Sequence, residues 1–440
     1  MMFSTFVLAA VAALSPIRDG ERIVYFGDSI THGGWQTDFT QLYCALRRPG
    51  AGIRVYNCGI GGDAAGGAKR RVKPDVAVYR PDRVFLMLGM NDAGLYVYRQ
   101  EETPEIRKRK AQFIASYETN MTTLVTMLRD VTKETVLITP SPYDEYSPGG
   151  TNRGERTINV AKTYNDFALS ACADHVRAIA DREGTGLVEL HRPLTATVKA
   201  HPELIVCGYD RIHPGDTGHL FLVGTVLDAL GEKPELSDVT FDAKGAASFA
   251  ADYAPAALPF PYLNCTPWVE KIYPFTDRHN VERLTVKNLA EGTYVLKADG
   301  KPFATFTSAQ LAAGVNIATN GTPNQLIARK AYDKIIYPMH TKEYQRRDYE
   351  CQLYRELRTQ GYVDGDYASA TSALAKVEAF FRQRTKHDEK WYEQRRKSWA
   401  FAMDRRNIDA LEEEIEAYRK QLDALRPVTW KLEIVKNADR

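Results

Sequence analysis

The 440-residue chain predicts an α/β protein whose first half is a parallel sheet covered by helices on both faces. Three observations carry this. Short, nearly continuous apolar runs alternate with longer amphipathic stretches from Arg22 to about Gly231. Each run ends in Gly, Pro or Asn punctuation, the signature of a strand leaving a sheet edge. After Gly231-Glu232-Lys233-Pro234 the texture changes to short β-prone pieces and then to charged helix.

The strand candidates of the first half are residues 22–26, 53–57, 83–88, 134–139 and 186–190. Helical stretches lie between them, notably 104–130 and 157–183; the second keeps Ile158, Ala161, Tyr164, Ala168 and Cys172 on one face. In such a sheet the ligand site lies beyond the carboxyl ends of the strands. Residues 234–321 read as a small antiparallel β-domain, with Asp299-Gly300 as a hairpin turn between two alternating runs. Residues 322–426 read as a helical region: Pro338 ends or kinks its first helix, a long helix runs from about Tyr367 to Arg405, and Asn407-Ile408-Asp409 caps a last one. The run from Val428 to Val435 alternates with period two, so residues 427–440 are expected to return to the β-domain, making the helices an insertion.

Residues 1–20 read as a signal peptide. The apolar segment from Phe6 to Leu14 is too short to span a bilayer, and a small residue and polar chain follow it. A packed N-terminal arm is the other reading. The expected location is therefore secreted or periplasmic, with no membrane-spanning segment. A formal net charge of +2 at 26% charged residues gives no electrostatic case for nucleic acid. The six cysteines are scattered without CxxC pairs, and neither they nor the dispersed histidines have metal-ligand spacing, so no metal or cofactor is expected.

Four clusters carry chemistry, each after a strand. Gly27-Asp28-Ser29 follows the first, Gly59-Ile60-Gly61-Gly62-Asp63 the second, and Gly89-Met90-Asn91-Asp92 the third. After the fifth comes Asp210-Arg211-Ile212-His213. Residues three apart on a tight turn lie nearly eclipsed, so Asp210 can hold one ring nitrogen of His213 and leave the other for a serine hydroxyl. A neutral serine is a weak nucleophile that such a histidine makes competent. An attacked ester also needs preorganised donors for its oxyanion: the Ser29 N–H, a glycine N–H at Gly62 (or Gly61) and the Asn91 amide can supply them. Singly, Ser29 and Asn91 have an ordinary reading as helix caps and the glycines and Asp210–His213 as turns; their order, each after a strand, favours catalysis.

These clusters resemble the four blocks of the SGNH hydrolases, also called the GDSL esterase/lipase family. Ser29 matches the nucleophile, Gly62 the second-block glycine, Asn91 the GxND asparagine, and Asp210 and His213 the DxxH acid and base. The resemblance covers roughly residues 22–231 and implies a flavodoxin-like three-layer α/β/α fold. It implies a serine carboxylic ester hydrolase with catalytic Ser29, Asp210 and His213 and an oxyanion hole of Ser29, Gly62 and Asn91. It says nothing about residues 234–440. Trp35 and Tyr143 are candidates to line an acyl or sugar pocket, Asp28 to shape the turn and His219 to bond structurally; His32 and Asp92 take no assigned role.

The expected substrate is a small-molecule or glycan ester, with acetyl or another short acyl group removed from carbohydrate. A lysophospholipase or thioesterase on longer chains is the rival enzyme. A non-catalytic binding or scaffold protein, with the helical region as a protein-partner surface, is the rival of another class.

Overall fold

The computed structural model describes residues 14–147, 160–359 and 404–437, with positions 393, 397 and 401 between the last two stretches. Residues 1–13 of the expected leader and nearly all of the expected long helix from Tyr367 lie outside the described residues.

Five strands form a wholly parallel sheet: β1 (Arg22–Gly27), β2 (Arg54–Gly59), β3 (Arg83–Met87), β4 (Glu134–Ile138) and β5 (Gly186–Val188), in the order β2-β1-β3-β4-β5. This is the doubly wound arrangement expected from the alternating pattern. β3 is buried along its whole length and β1 is buried apart from Arg22, because helices cover both faces. One of these helices, Pro104–Leu128, begins with Thr103, whose side chain accepts the Ile106 N–H, and Pro104 occupies its first turn.

Residues 14–20, the end of the segment expected as a leader over 1–20, are instead built into this unit. Ile17 is buried in the core, its N–H donates to Glu232 at 2.7 Å, and the Ser15 carbonyl accepts from Arg83 at 3.1 Å.

The remaining strands form two sheets. In the larger, β10 (Lys301–Thr307), β9 (Thr293–Ala298), β12 (Trp430–Lys436) and β7 (Ser248–Tyr253) are antiparallel throughout. β12 sits between β9 and β7, with Trp430, Leu432 and Ile434 facing the core, so its period-two alternation is a burial pattern. Asp299 and Gly300 both take positive φ, 48° and 79°, as the two-residue turn between β9 and β10 requires. In the smaller sheet β8 (Val281–Lys287) pairs antiparallel with β11 (Val315–Asn316) but parallel with β6 (Glu235–Asp242). That parallel pair departs from the all-antiparallel expectation; β7 and two short helices form the long connection it needs.

The helical region begins as one run. Helix Pro323–Ala331 passes through a wide turn at Tyr332–Ile336 into helix Tyr337–Thr359. Pro338 lies just after the wide turn, where its missing N–H is accommodated without stopping the helix. The last helix, Arg405–Asp423, is capped by Asp404, which accepts the Arg406 N–H, rather than by Asn407.

Among the described residues no strand pairs with the outer edge of β2, and side chains take its backbone groups instead. Gln41 receives the Val55 N–H and donates to the Ile53 carbonyl. Arg419 of the last helix donates to the Val55 carbonyl, and Arg347 donates to that of Gly59. Covering an edge with guanidinium donors satisfies the ladder and blocks further pairing. It also binds the helical region to the strand that carries the second glycine cluster.

Candidate active site

Ser29 leaves β1 through a tight turn. Asp28 is buried, and its Oδ1 accepts the Ile30 N–H at 3.0 Å, which shapes the turn. A Cβ at Gly27 would run into the Thr31 hydroxyl and the Met87 carbonyl, so only glycine lets strand and turn pack this closely.

The Asp210–His213 pair arrives from the loop before helix Asp216–Ala229. His213 Nε2 lies 2.8 Å from Ser29 Oγ, and His213 Nδ1 lies 2.5 Å from Asp210 Oδ2. Asp210 Oδ1 accepts the N–H groups of Ile212 and His213, both at 3.0 Å, so one carboxylate oxygen folds the turn while the other holds the ring. Burial pushes the Asp210 carboxyl up, but the hydrogen bonds and charge of His213 and the Ile212 amide outweigh it, holding the pKa below the usual range. Burial likewise presses His213 down, and Asp210 and Asp28 outweigh it, leaving the imidazole more basic than usual. In the neutral ring, Nδ1–H donates to Asp210 and the Nε2 lone pair faces the serine hydroxyl.

Arg211 supports this loop in a way the sequence did not disclose. It takes a left-handed φ of 70°, and its buried guanidinium donates to the carbonyls of Asp144 and Ser147 at 2.8 and 2.9 Å. A non-glycine residue holds that conformation only when its surroundings over-determine it.

The second and third clusters meet beside Ser29. Asn91 Nδ2 donates to the Asp63 carbonyl at 2.8 Å, tying the loop after β3 to the loop after β2. The Gly61 N–H donates to His32 Nδ1 at 3.2 Å. Gly62 takes a φ of +75°, and no hydrogen bond occupies its N–H among the described residues. His32 is buried, and desolvation with the nearby Arg347 charge pushes its pKa down to about 3, so it stays a neutral acceptor. Burial raises the Asp92 carboxyl to about 7; one of its oxygens accepts the Ala65 N–H at 2.8 Å.

Two buried arginines hold this frame. Arg71 donates to Asp63 at 2.8 Å, to the Cys58 carbonyl at 3.1 Å, to the Gly27 carbonyl at 3.2 Å and to Asp75. Arg347, from the helical region, donates to the Gly59 carbonyl at 2.9 and 3.1 Å and to Asp75 at 2.7 and 2.9 Å.

Ser29 and His213 open onto a cleft of about 510 Å³, in the usual range for small-molecule sites. Trp35 borders it, as expected. Tyr143 does not: it is fully buried, its ring meets Tyr164 edge-on at 5.5 Å, and its hydroxyl accepts the Ala161 N–H. The expectation that Tyr143 lines a pocket is corrected, because its ring fills the core. His219 is buried at the cleft floor, where desolvation lowers its pKa to about 3. His340 and Tyr344 on helix Tyr337–Thr359 form another wall that sequence reasoning missed. Their only sequence signal is aromatic spacing on one helix face. Among the described residues no group of three His, Cys, Asp or Glu side chains could hold a metal ion. Cys44, Cys58, Cys172, Cys207 and Cys265 are buried and unpaired.

The model of the GDSL-like lipase/acylhydrolase family matches residues 25–220, the segment that carries all four clusters. That segment resembles the SGNH hydrolases, as its four clusters led one to expect. The family match and the esterase relative below support a carboxylic ester hydrolase. An acetylxylan esterase of Geobacillus stearothermophilus is 28% identical over 231 residues, covering 49% of this chain and 96% of that protein. An uncharacterized lipoprotein of Bacillus subtilis (strain 168) is 33% identical over 111 residues, 24% of this chain and 44% of that one. Among solved structures, a gut microbial diltiazem-metabolizing enzyme matches with a TM-score of 0.84 at 25% identity, covering 97% of this chain and 100% of that one. The likeness to that enzyme therefore extends well beyond residues 25–220, into the β-sheets and helices that follow.

Proposed function

We propose that this chain is an SGNH hydrolase that removes acetyl or other short acyl groups from carbohydrate, with Ser29 as nucleophile. The observation that carries the mechanism is the contact of His213 Nε2 with Ser29 Oγ at 2.8 Å while Asp210 holds Nδ1. Ser29 Oγ attacks the ester carbonyl as its proton passes to His213 Nε2. The oxyanion meets the N–H groups of Ser29 and Gly62 and the second N–H of the Asn91 amide. Gly62 is favoured over Gly61 because the Gly61 N–H is already donated to His32. His213 then returns its proton to the leaving alcohol oxygen as the C–O bond breaks, leaving an acyl-serine. Water attacks the acyl-serine by the same route, giving the free acid and restoring Ser29.

The acetylxylan esterase relative supports a carbohydrate ester, and so do the four histidines that line the cleft. The short apolar run from Phe6 to Leu14 and the lipoprotein-named relative support an extracellular or envelope location. None of the described helices is long and apolar enough to cross a membrane.

The test is Ser29→Ala beside the parent enzyme. Hydrolysis should fall by about 10⁴-fold or more with unchanged melting, and a fluorophosphonate should label the parent alone. Acetate should be released from acetylated glycans, and rates on 4-nitrophenyl esters should fall as the acyl chain lengthens. A Ser29→Ala variant that keeps its activity refutes the nucleophile; rates that climb toward long acyl chains refute the short-acyl substrate.

A further inference from the structure

Helix Tyr337–Thr359 lies outside the segment that defines the family, yet one face of it is built into the cleft. Tyr337, His340, Tyr344 and Arg347 follow one another at spacings of three and four, so they share that face. Arg347 bolts the helix to the Gly59 carbonyl. The residues one turn before it are thereby held at a fixed distance from Ser29.

His340 is the most constrained of these. Its Nδ1 meets Asp38 Oδ2 at 2.6 Å, and its ring stacks on Trp35 with centroids 4.0 Å apart and planes 16° from parallel. Asp38 is buried, whereas 14% of the His340 side chain is exposed. The ring packs against Gly34, whose φ of +86° and missing Cβ leave room for it: a Cβ there would lie 3.3 Å from the His340 ring. With Nδ1 committed to Asp38, Nε2 is the hydrogen-bonding atom left to the cleft. Tyr344 follows one turn on. It is 48% exposed, and its ring lies 5.1 Å from His32 and 6.3 Å from His340.

We propose that Tyr344, His340 and Trp35 form the subsite for the sugar ring that bears the ester, with Asp38 as the positioning residue that aims His340. The proposal rests on the carbohydrate reading above and adds where the sugar sits. An acetyl group needs little of a 510 Å³ cleft, so most of the cleft serves the alcohol portion of the substrate. Its walls pair flat aromatic surface with a fixed imidazole and the nearby Asp348 carboxylate. A pyranose presents an apolar C–H face and a rim of hydroxyls, which these groups match.

The experiment compares the parent with Tyr344→Ala and His340→Ala on acetylated xylo-oligosaccharides and on 4-nitrophenyl acetate, with melting temperatures alongside. Loss of one hydrogen bond or one stacking face should lower kcat/KM on the oligosaccharide by about tenfold or more, chiefly through KM. The loss on 4-nitrophenyl acetate should be several-fold smaller. Asp38→Asn, which keeps an acceptor but loses the charge, should raise the oligosaccharide KM less than His340→Ala does. Equal losses on both substrates, or none on the oligosaccharide, overturn the subsite and leave the carbohydrate reading standing. A parent enzyme that turns over 4-nitrophenyl acetate but no acetylated glycan overturns the carbohydrate reading and the subsite with it. Tyr344 is half exposed, so its variant keeps the test valid should His340→Ala fold poorly.

Discussion

Replacing Arg347 with Met should destabilise the enzyme and slow it. The guanidinium is fully buried, and its partner Asp75 is 3% exposed. The substitution removes two bonds to the Gly59 carbonyl, two to Asp75 and one to Glu350. Asp75 is also the carboxyl that burial would raise but that Arg347 and then Arg71 hold down at about 2. Breaking one partner of a buried ion pair costs roughly 3–5 kcal/mol, because the remaining charge has no water to replace it. Arg71 still faces Asp75, so the low end applies, about 3 kcal/mol. At about 2–4 °C per kcal/mol, the melting temperature should fall by about 6–12 °C. The Gly59 carbonyl immediately precedes the loop with the proposed oxyanion donor Gly62, so kcat on 4-nitrophenyl acetate should fall more than KM rises. Scanning calorimetry and steady-state kinetics on the same preparation measure both. A variant that melts within about 2 °C of the parent with the parent's kcat refutes the clamp.

The pH profile tests His213, whose pKa is raised above the usual 6.5 and which must be neutral to accept the serine proton. Activity should be lost as pH falls through that raised value, and the acid limb of kcat/KM should move to lower pH in the residual activity of Asp210→Asn. An unmoved limb refutes Asp210 as its cause. Asn91→Ala should lower kcat about 10²–10³-fold with little change in melting temperature; a loss confined to KM argues against an oxyanion donor. Glu282, buried in β8, is raised from 4.5 to about 7, chiefly by desolvation, with Tyr253 opposing. The folded state therefore holds a proton that the unfolded state has released, and stability declines as pH rises from about 4.5 to about 7. Glu282→Gln should gain on the parent across that window, by on the order of 3 kcal/mol at most, and a constant difference between pH 5 and pH 8 melts counts against it. Deleting residues 427–440 removes one of the two interior strands of the four-stranded sheet and should destabilise that sheet first, read by hydrogen exchange in β7 and β9; unchanged protection there refutes the pairing.

Much of the first half was legible because its candidate chemistry is written locally. A nucleophile turn, a glycine loop and an Asp-x-x-His turn each need particular residues within a few positions after a strand. Buried parallel strands likewise announce themselves as apolar runs. The Asp299-Gly300 hairpin was legible for the same reason, since positive φ at both positions restricts the residue types. Tyr143 could not be placed this way. An aromatic residue after a strand has the same sequence whether its ring faces a cleft or fills the core, and here neighbouring Tyr164 takes it inward.

The chain's residues alone pointed to the sheet, the order of the four clusters and the candidates Ser29, Asp210 and His213, because each cluster is written within a few positions after a strand; the 184-residue reach from His213 to Ser29 belongs to the fold. Only the tertiary structure decided that helix Tyr337–Thr359 walls the cleft. That placement depends on Arg347 reaching Gly59 and Asp75, 288 and 272 positions away, and on Asp38 meeting His340 across 302. Ion pairs at such separations leave no periodicity in a sequence. They exist because packing excludes water around charges that must then find one another.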